Sequence, residues 1–157
     1  MSEAKSSSCS GNLEDCVTAV IVGAGNRGTV YANFALDFPK RFKVVAVADP
    51  RAFRRETLQK QHSLDEKQLF EDWPALAKLD KIADVAVICT PDALHKAPAV
   101  AFAEKGYNIL VEKPMAVTES DCEAIAAACA KNGVTFAVCH VLRFALSCLA
   151  ATLNCFA

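Results

Sequence analysis

The chain is 157 residues long, 53 % hydrophobic and 22 % charged, with a formal net charge of −1. That length suits a single domain, which can bury about 70 % of its unfolded surface without help from disulfides or metals. The balanced charge excludes the basic field that nucleic acid requires. The apolar fraction excludes wholesale disorder, and no unbroken apolar stretch reaches the roughly 18 residues of a membrane span.

The amino terminus, MSEAKSSSCSGNLEDC, is polar, carries both charge signs and lacks an apolar h-region. Residues 1–15 are therefore expected to be a disordered tail rather than a secretory signal, and the protein is expected to be cytoplasmic. Val17–Val22 (VTAVIV) is the first strand candidate. Gly23-Ala-Gly25-Asn26-Arg27-Gly28 follows and opens a helical stretch to about Asp37. A lone GxGxxG is a weak signal, but a strand before it and a helix after it are the context of a dinucleotide loop. There the first glycine makes the tight turn, the second admits a pyrophosphate, and the third lets helix and strand pack closely. The helix N-terminus offers free N–H groups to the phosphates.

Lys43–Ala48 (KVVAVA) is the second strand candidate and ends at Asp49, 21 residues after Gly28. A carboxylate about 20 residues past the glycines accepts ribose hydroxyls in a dinucleotide site. It would repel a 2′-phosphate, which favours NAD. Arg51, Arg54 and Arg55 just beyond could pair with such a phosphate and keep NADP open. The alternative for Asp49 is a cap on the next helix, which Pro50 is expected to open as its first residue and which runs to about Gln61. A short helix is expected over Asp72–Leu79, with Trp73, Leu76 and Leu79 on one face.

Asp84–Cys89 (DVAVIC) is the third strand candidate. Thr90-Pro91-Asp92 and His95 follow it, at the strand end where a ligand crevice lies in α/β sheets; a capped turn would read the same way. A helix over Leu94–Lys105 is expected to stop at Gly106. Asn108–Val111 is the fourth strand candidate and ends in Glu112-Lys113-Pro114. Lys113 reads either as half of a surface salt bridge or as a partly desolvated amine that exchanges a proton with a substrate hydroxyl. Thr118 is the expected N-cap of a helix that presents Cys122, Ile125, Ala126 and Cys129 on one face and ends at Gly133. Val134–Val138 (VTFAV) is the fifth strand candidate. Apolar strands alternating with helices define an α/β fold, a Rossmann-like doubly wound parallel sheet in a single domain.

Eight cysteines, at 9, 16, 89, 122, 129, 139, 148 and 155, form no CxxC pair. They read as small buried hydrophobes in a reducing compartment, with no metal site. Cys139 and His140 are adjacent on a strand and so point to opposite faces, which is poor geometry for a nucleophile and its base.

In order, GAGNRG, VADP, CTPDALH, VEKPMA and VCHVLRF resemble the nucleotide-binding domain of the Gfo/Idh/MocA oxidoreductases, over about Val17 to Phe144. The resemblance implies a domain at residues 16–143 that binds NAD, with NADP possible, and hydride transfer between the nicotinamide and a sugar or polyol. It maps Gly23, Gly25, Asn26, Arg27 and Gly28 to the cofactor phosphates, Asp49 to a ribose, and Thr90, Pro91 and His95 to the cofactor's flank. Glu112 then lies near the nicotinamide ribose, and Lys113 is the catalytic lysine at the substrate hydroxyl. Arg143 matches an arginine after the domain's last strand. Family members continue into a second, largely antiparallel domain that supplies most of the substrate pocket, and the apolar residues 144–157 do not resemble it. The chain is therefore expected to be truncated and weakly active or inactive alone, with an exposed sheet edge through which it associates with copies of itself. The alternative is a non-catalytic dinucleotide-binding module partnering a full-length relative. A methyltransferase would explain neither Thr90-Pro91 nor Glu112-Lys113-Pro114.

Overall fold

A computed structural model describes residues 16–144. The expected tail at residues 1–15, residues 145–157 of the apolar segment, and Cys9, Cys148 and Cys155 lie outside them.

Six strands form one parallel sheet: β1 (Val17–Val22), β2 (Phe42–Ala48), β3 (Leu69–Phe70), β4 (Val85–Ile88), β5 (Asn108–Glu112) and β6 (Phe136–Cys139), in the spatial order β3-β2-β1-β4-β5-β6. Five were expected. The sixth, β3, is only two residues long, too short for any periodicity, and exists because Leu69 and Phe70 pair with Val47 and Ala48. The chain runs outward from β1 on one side and outward from β4 on the other. Right-handed crossovers therefore send the helices of the two halves to opposite faces.

Helices α1 (Asn26–Asp37) and α2 (Ala52–His62) cover one face, burying Ala32, Ala35 and Leu58 against Ala19, Ile21, Val44, Val47 and Val87. Helices α3 (Trp73–Ala77), α4 (Lys96–Glu104) and α5 (Glu119–Lys131) cover the other. There Leu76, Phe102, Ile125 and Cys129 meet Val20, Val22, Ala46, Ile88 and Val111. Because strand residues alternate between faces, β1 and β4 are apolar on both, which is what the continuous hydrophobic runs record.

Local expectations meet the structure at the caps. Thr118 Oγ1 accepts the Asp121 N–H at 3.2 Å and starts α5 as expected. Pro50 does not open α2: the helix begins at Ala52 with Arg51 as its N-cap, because the Asp49 carboxylate takes the Arg51 N–H at 2.9 Å and holds Pro50 in the turn before it. A 3-10 turn, Asp92–Leu94, precedes α4, which starts at Lys96 rather than Leu94. Leu79 lies past the end of α3 and is 41 % exposed, so only Leu76 of the expected stripe is fully buried.

The winding leaves one surface bare. Among the described residues no helix covers β5 and β6 on the α1 side. Two open depressions of about 540 and 630 Å³ lie there, both floored by Leu110 and Ala137.

Candidate dinucleotide site

Parallel register brings the strand ends level. Val22 lies opposite Ala48 and Ile88, and Ile88 lies opposite Val111. The residues that follow, Gly23, Asp49, Cys89 and Glu112, therefore share one edge of the sheet, at the point between β1 and β4 where the winding reverses. In a doubly wound sheet this is where ligands bind.

The glycine loop is shaped by its neighbours. Gly23 has φ +94°, and a Cβ there would meet the Cys89 carbonyl oxygen at 2.5 Å. Gly25 is the N-cap of α1, with neither a capping side chain nor an acidic residue in the first turn, so the helix end stays open to an anion. A Cβ on Gly25 would lie 3.2 Å from Arg54 Nη1, in the groove of about 200 Å³ that Asn26, Thr29 and Arg54 also line. Gly28 packs α1 directly on the loop, its Cα side facing the Gly23 carbonyl.

Asp49 is 3 % exposed, and its carboxylate joins loop to helix. Oδ2 accepts the Ala24 N–H at 2.8 Å and stands 3.5 Å from Arg54 Nη1, while Oδ1 accepts the Arg51 N–H. Asp49 is thus not the cap of α2, which is Arg51, but braces the turn before it. Of the three arginines, Arg55 is spent on the Asp49 carbonyl at 2.7 Å, whereas Arg54 lies between Asp49 and Gly25. A cavity of about 450 Å³ opens beside Asp49 and is lined by Gly23, Trp73, Thr90, Pro91 and Leu94. Its walls are mostly apolar, with one buried carboxylate at the rim, a combination suited to a nucleoside.

A second cluster surrounds Glu112, which is 5 % exposed. Oε1 accepts Arg27 Nε at 2.6 Å and the Tyr31 hydroxyl at 2.7 Å; Oε2 accepts the Lys113 N–H at 2.9 Å. Burial pushes the Glu112 carboxyl up, but the hydrogen bonds from Tyr31, Arg27 and the Lys113 amide outweigh it and hold it below the ordinary range. Burial, with bonding inside the same cluster, pushes the Tyr31 phenol up. A carboxyl whose pKa is depressed on folding stabilises the fold above its unfolded value, and that contribution disappears as the pH falls through the folded value. Acid titration of Glu112→Gln, followed by circular dichroism, is expected to show a flatter loss of stability below about pH 4 than the parent chain. At neutral pH the substitution is expected to cost about 2 kcal/mol, because it leaves a buried donor facing a donor.

Sequence reasoning missed Tyr31. The available signal was its i+4 spacing from Arg27, which puts both on one face of α1. Lys113 is exposed and does not pair with Glu112, which takes Arg27 instead. His95 is fully buried. The structure thus places Gly23, Asp49, Thr90 and Pro91 around one cavity and Gly25 and Asn26 along the neighbouring groove, while Arg27 and the Lys113 amide meet at the Glu112 carboxylate. Burial raises the thiols of Cys89, Cys129 and Cys139 toward the neutral form, so none of the three is poised as a thiolate.

An open glycine-capped helix, a strand-end carboxylate and a reversal of winding between them define a dinucleotide-binding Rossmann domain. The comparison with protein families agrees: the oxidoreductase family with the NAD-binding Rossmann fold, Gfo/Idh/MocA, matches residues 17–140, and the chain belongs to it. It is 30 % identical over 124 residues to 2,7-anhydro-N-acetylneuraminate hydratase of Mediterraneibacter gnavus, covering 79 % of this chain and 31 % of that protein. It is 31 % identical over 115 residues to inositol 2-dehydrogenase of Salmonella typhimurium, covering 73 % and 34 % respectively. Among solved structures, the aldose-aldose oxidoreductase of Caulobacter crescentus superposes with a TM-score of 0.73 at 24 % identity, over 83 % of this chain and 39 % of that one. The NAD-binding protein of Listeria innocua does so with a TM-score of 0.68 at 29 % identity, over 82 % and 36 %. The chain spans about a third of the length of the curated relatives it matches.

Proposed function

We propose that the chain binds a nicotinamide dinucleotide across the ends of β1, β2, β4 and β5, and that in catalysis Lys113 serves a hydride transfer to or from a sugar or polyol. The observation that carries this reading is the Asp49 carboxylate, buried beside the cavity and bonded to the glycine loop. NAD fits through Asp49. NADP is admitted as well, because Arg54 stands beside that carboxylate.

The residues present suit the cofactor. The open end of α1, with Asn26, would hold the phosphates, and Arg27, held by Glu112 and Tyr31, would stand beside them as a fixed positive charge. Asp49 would take the adenosine ribose, and Thr90-Pro91 would flank the chain of the dinucleotide. When bound, the nicotinamide supplies the hydride acceptor. Lys113 would stand at the substrate hydroxyl and exchange that hydroxyl's proton in either direction of the reaction. Glu112 anchors the Lys113 amide and the Arg27 guanidinium rather than the cofactor itself. Relatives include both a hydratase and a dehydrogenase, so the net reaction is set outside this domain. Little turnover by this chain alone is therefore expected, with the cytoplasm as its place of work.

Titration of the purified chain with NADH, followed by nicotinamide fluorescence and quenching of Trp73, is expected to saturate in the micromolar to millimolar range. Absence of saturation would overturn the reading.

A second reading, a non-catalytic module that associates with a copy of itself or with a longer relative, is favoured by the apolar surface over β5 and β6 that no helix covers among the described residues. Light scattering on the eluting chain is expected to show species larger than a monomer as concentration rises. A monomer at every concentration would remove association with a copy of itself and leave the first reading intact.

A further inference from the structure

His95 belongs to no group of the site, yet both of its ring nitrogens are engaged. Nδ1 lies 2.9 Å from the Pro114 carbonyl oxygen and Nε2 lies 2.8 Å from the Thr90 carbonyl oxygen, with the ring fully buried. Carbonyl oxygens only accept, so each contact is a hydrogen bond when that nitrogen carries the proton. The ring is carried at the start of α4, where the His95 carbonyl accepts the Ala99 N–H. Of its two partners, Thr90 lies in the same connection between β4 and α4, and Pro114 lies in the loop after β5, the adjacent strand.

Lys113 stands between two such ties. Its own N–H is held by Glu112 Oε2 at 2.9 Å, and the carbonyl of the next residue, Pro114, is the one that faces His95. The side chain between them is exposed and makes no ion pair among the described residues. What fixes the lysine is therefore its main chain, gripped on one side from β5 and on the other from α4. We propose that His95 is a positioning residue: a neutral ring has one N–H, and on Nδ1 it holds the Pro114 carbonyl, ties the turn that runs from Thr90 into α4 to the Lys113-Pro114 loop, and thereby sets where Lys113 stands relative to the dinucleotide. The inference rests on the dinucleotide reading for its functional half and on the two carbonyl contacts for its structural half. A histidine that merely fills core volume would need neither contact.

The test uses the full chain and His95→Phe, which keeps the ring's bulk and removes both nitrogens. In the parent chain, nitrogen-15 spectra of the imidazole are expected to show a ring N–H that exchanges slowly with water. Rapid exchange of every ring proton with water would overturn the proposal before any variant is made. In His95→Phe, hydrogen exchange at the Lys113 amide, which Glu112 holds, is expected to quicken about tenfold, while that of the β1 core amides stays as it was, as the loss of one buried hydrogen bond implies. NADH affinity is expected to fall severalfold in the same variant. Unchanged exchange and unchanged affinity in a folded variant would sink the inference. If the parent chain does not bind NADH, the dinucleotide reading fails, and the ring N–H and exchange results still decide whether His95 ties the two loops.

Discussion

Gly28→Ala is expected to lower the melting temperature of the chain by about 10 °C, read by circular dichroism or calorimetry. A Cβ at this position would lie inside contact distance of the Gly23 carbonyl oxygen and 3.1 Å from the Ile21 side chain. Neither neighbour can yield. Gly23 is fixed at φ +94° and its N–H is bonded to the Ala48 carbonyl at 2.8 Å, while Ile21 is fully buried in the α1-side core. Forced overpacking of this kind costs typically about 3 kcal/mol, and 1 kcal/mol moves the midpoint of a domain this size by about 3 °C. The sign is informative. Alanine is the better helix former by about 1 kcal/mol, so a glycine that merely sat in a helix would be stabilised by the change. A rise in melting temperature would mean that α1 does not rest on the glycine loop as described, and the phosphate groove built on that contact would go with it.

Asp49→Ala is expected to weaken NADH binding by about thirtyfold or more, measured by fluorescence titration, which corresponds to roughly 2 kcal/mol for the charge-assisted hydrogen bonds to a ribose. Loss of NAD binding alone would be the simple expectation for an acid that contacts only the ribose. The structure changes it. Asp49 also holds the Ala24 N–H of the glycine loop and the Arg51 N–H ahead of α2, so its removal loosens the phosphate side that both cofactors share. NADPH affinity is therefore expected to fall too, but less, since Arg54 is released from Asp49 and becomes free to meet a 2′-phosphate. Equal losses for the two cofactors would indicate that Asp49 acts only through the loop. An unchanged NADH affinity would remove it from the site.

These two positions show how far reading the chain could go. Gly23, Gly25, Gly28 and Asp49 were legible because their signals are local: a glycine spacing between an apolar run and an amphipathic run, and an acid closing the next apolar run. Glu112 was legible as a charge where a buried strand ends, but its partners were not. Arg27 and Tyr31 lie more than 80 residues away in sequence and reach it only because β5 ends beside the first turns of α1. The position of His95 could be read, whereas its contacts could not, since they depend on two loops meeting over the start of α4.

By itself, the sequence determined the class of fold, five of the six strands, the Thr118 cap, the glycines that shape the loop, and the family to which the chain belongs. The fold class, strands and loop rest on periodicity and on residue types that act within a few positions of one another, and the family rests on the resemblance of its motifs in their order along the chain. Only the tertiary structure decided that β3 exists, that Pro50 lies before its helix rather than in it, that Glu112 pairs with Arg27 rather than Lys113, and that one side of β5 and β6 is bare among the described residues. Each of these follows from what parallel pairing and right-handed crossovers bring together in space, and a one-dimensional pattern holds no record of that.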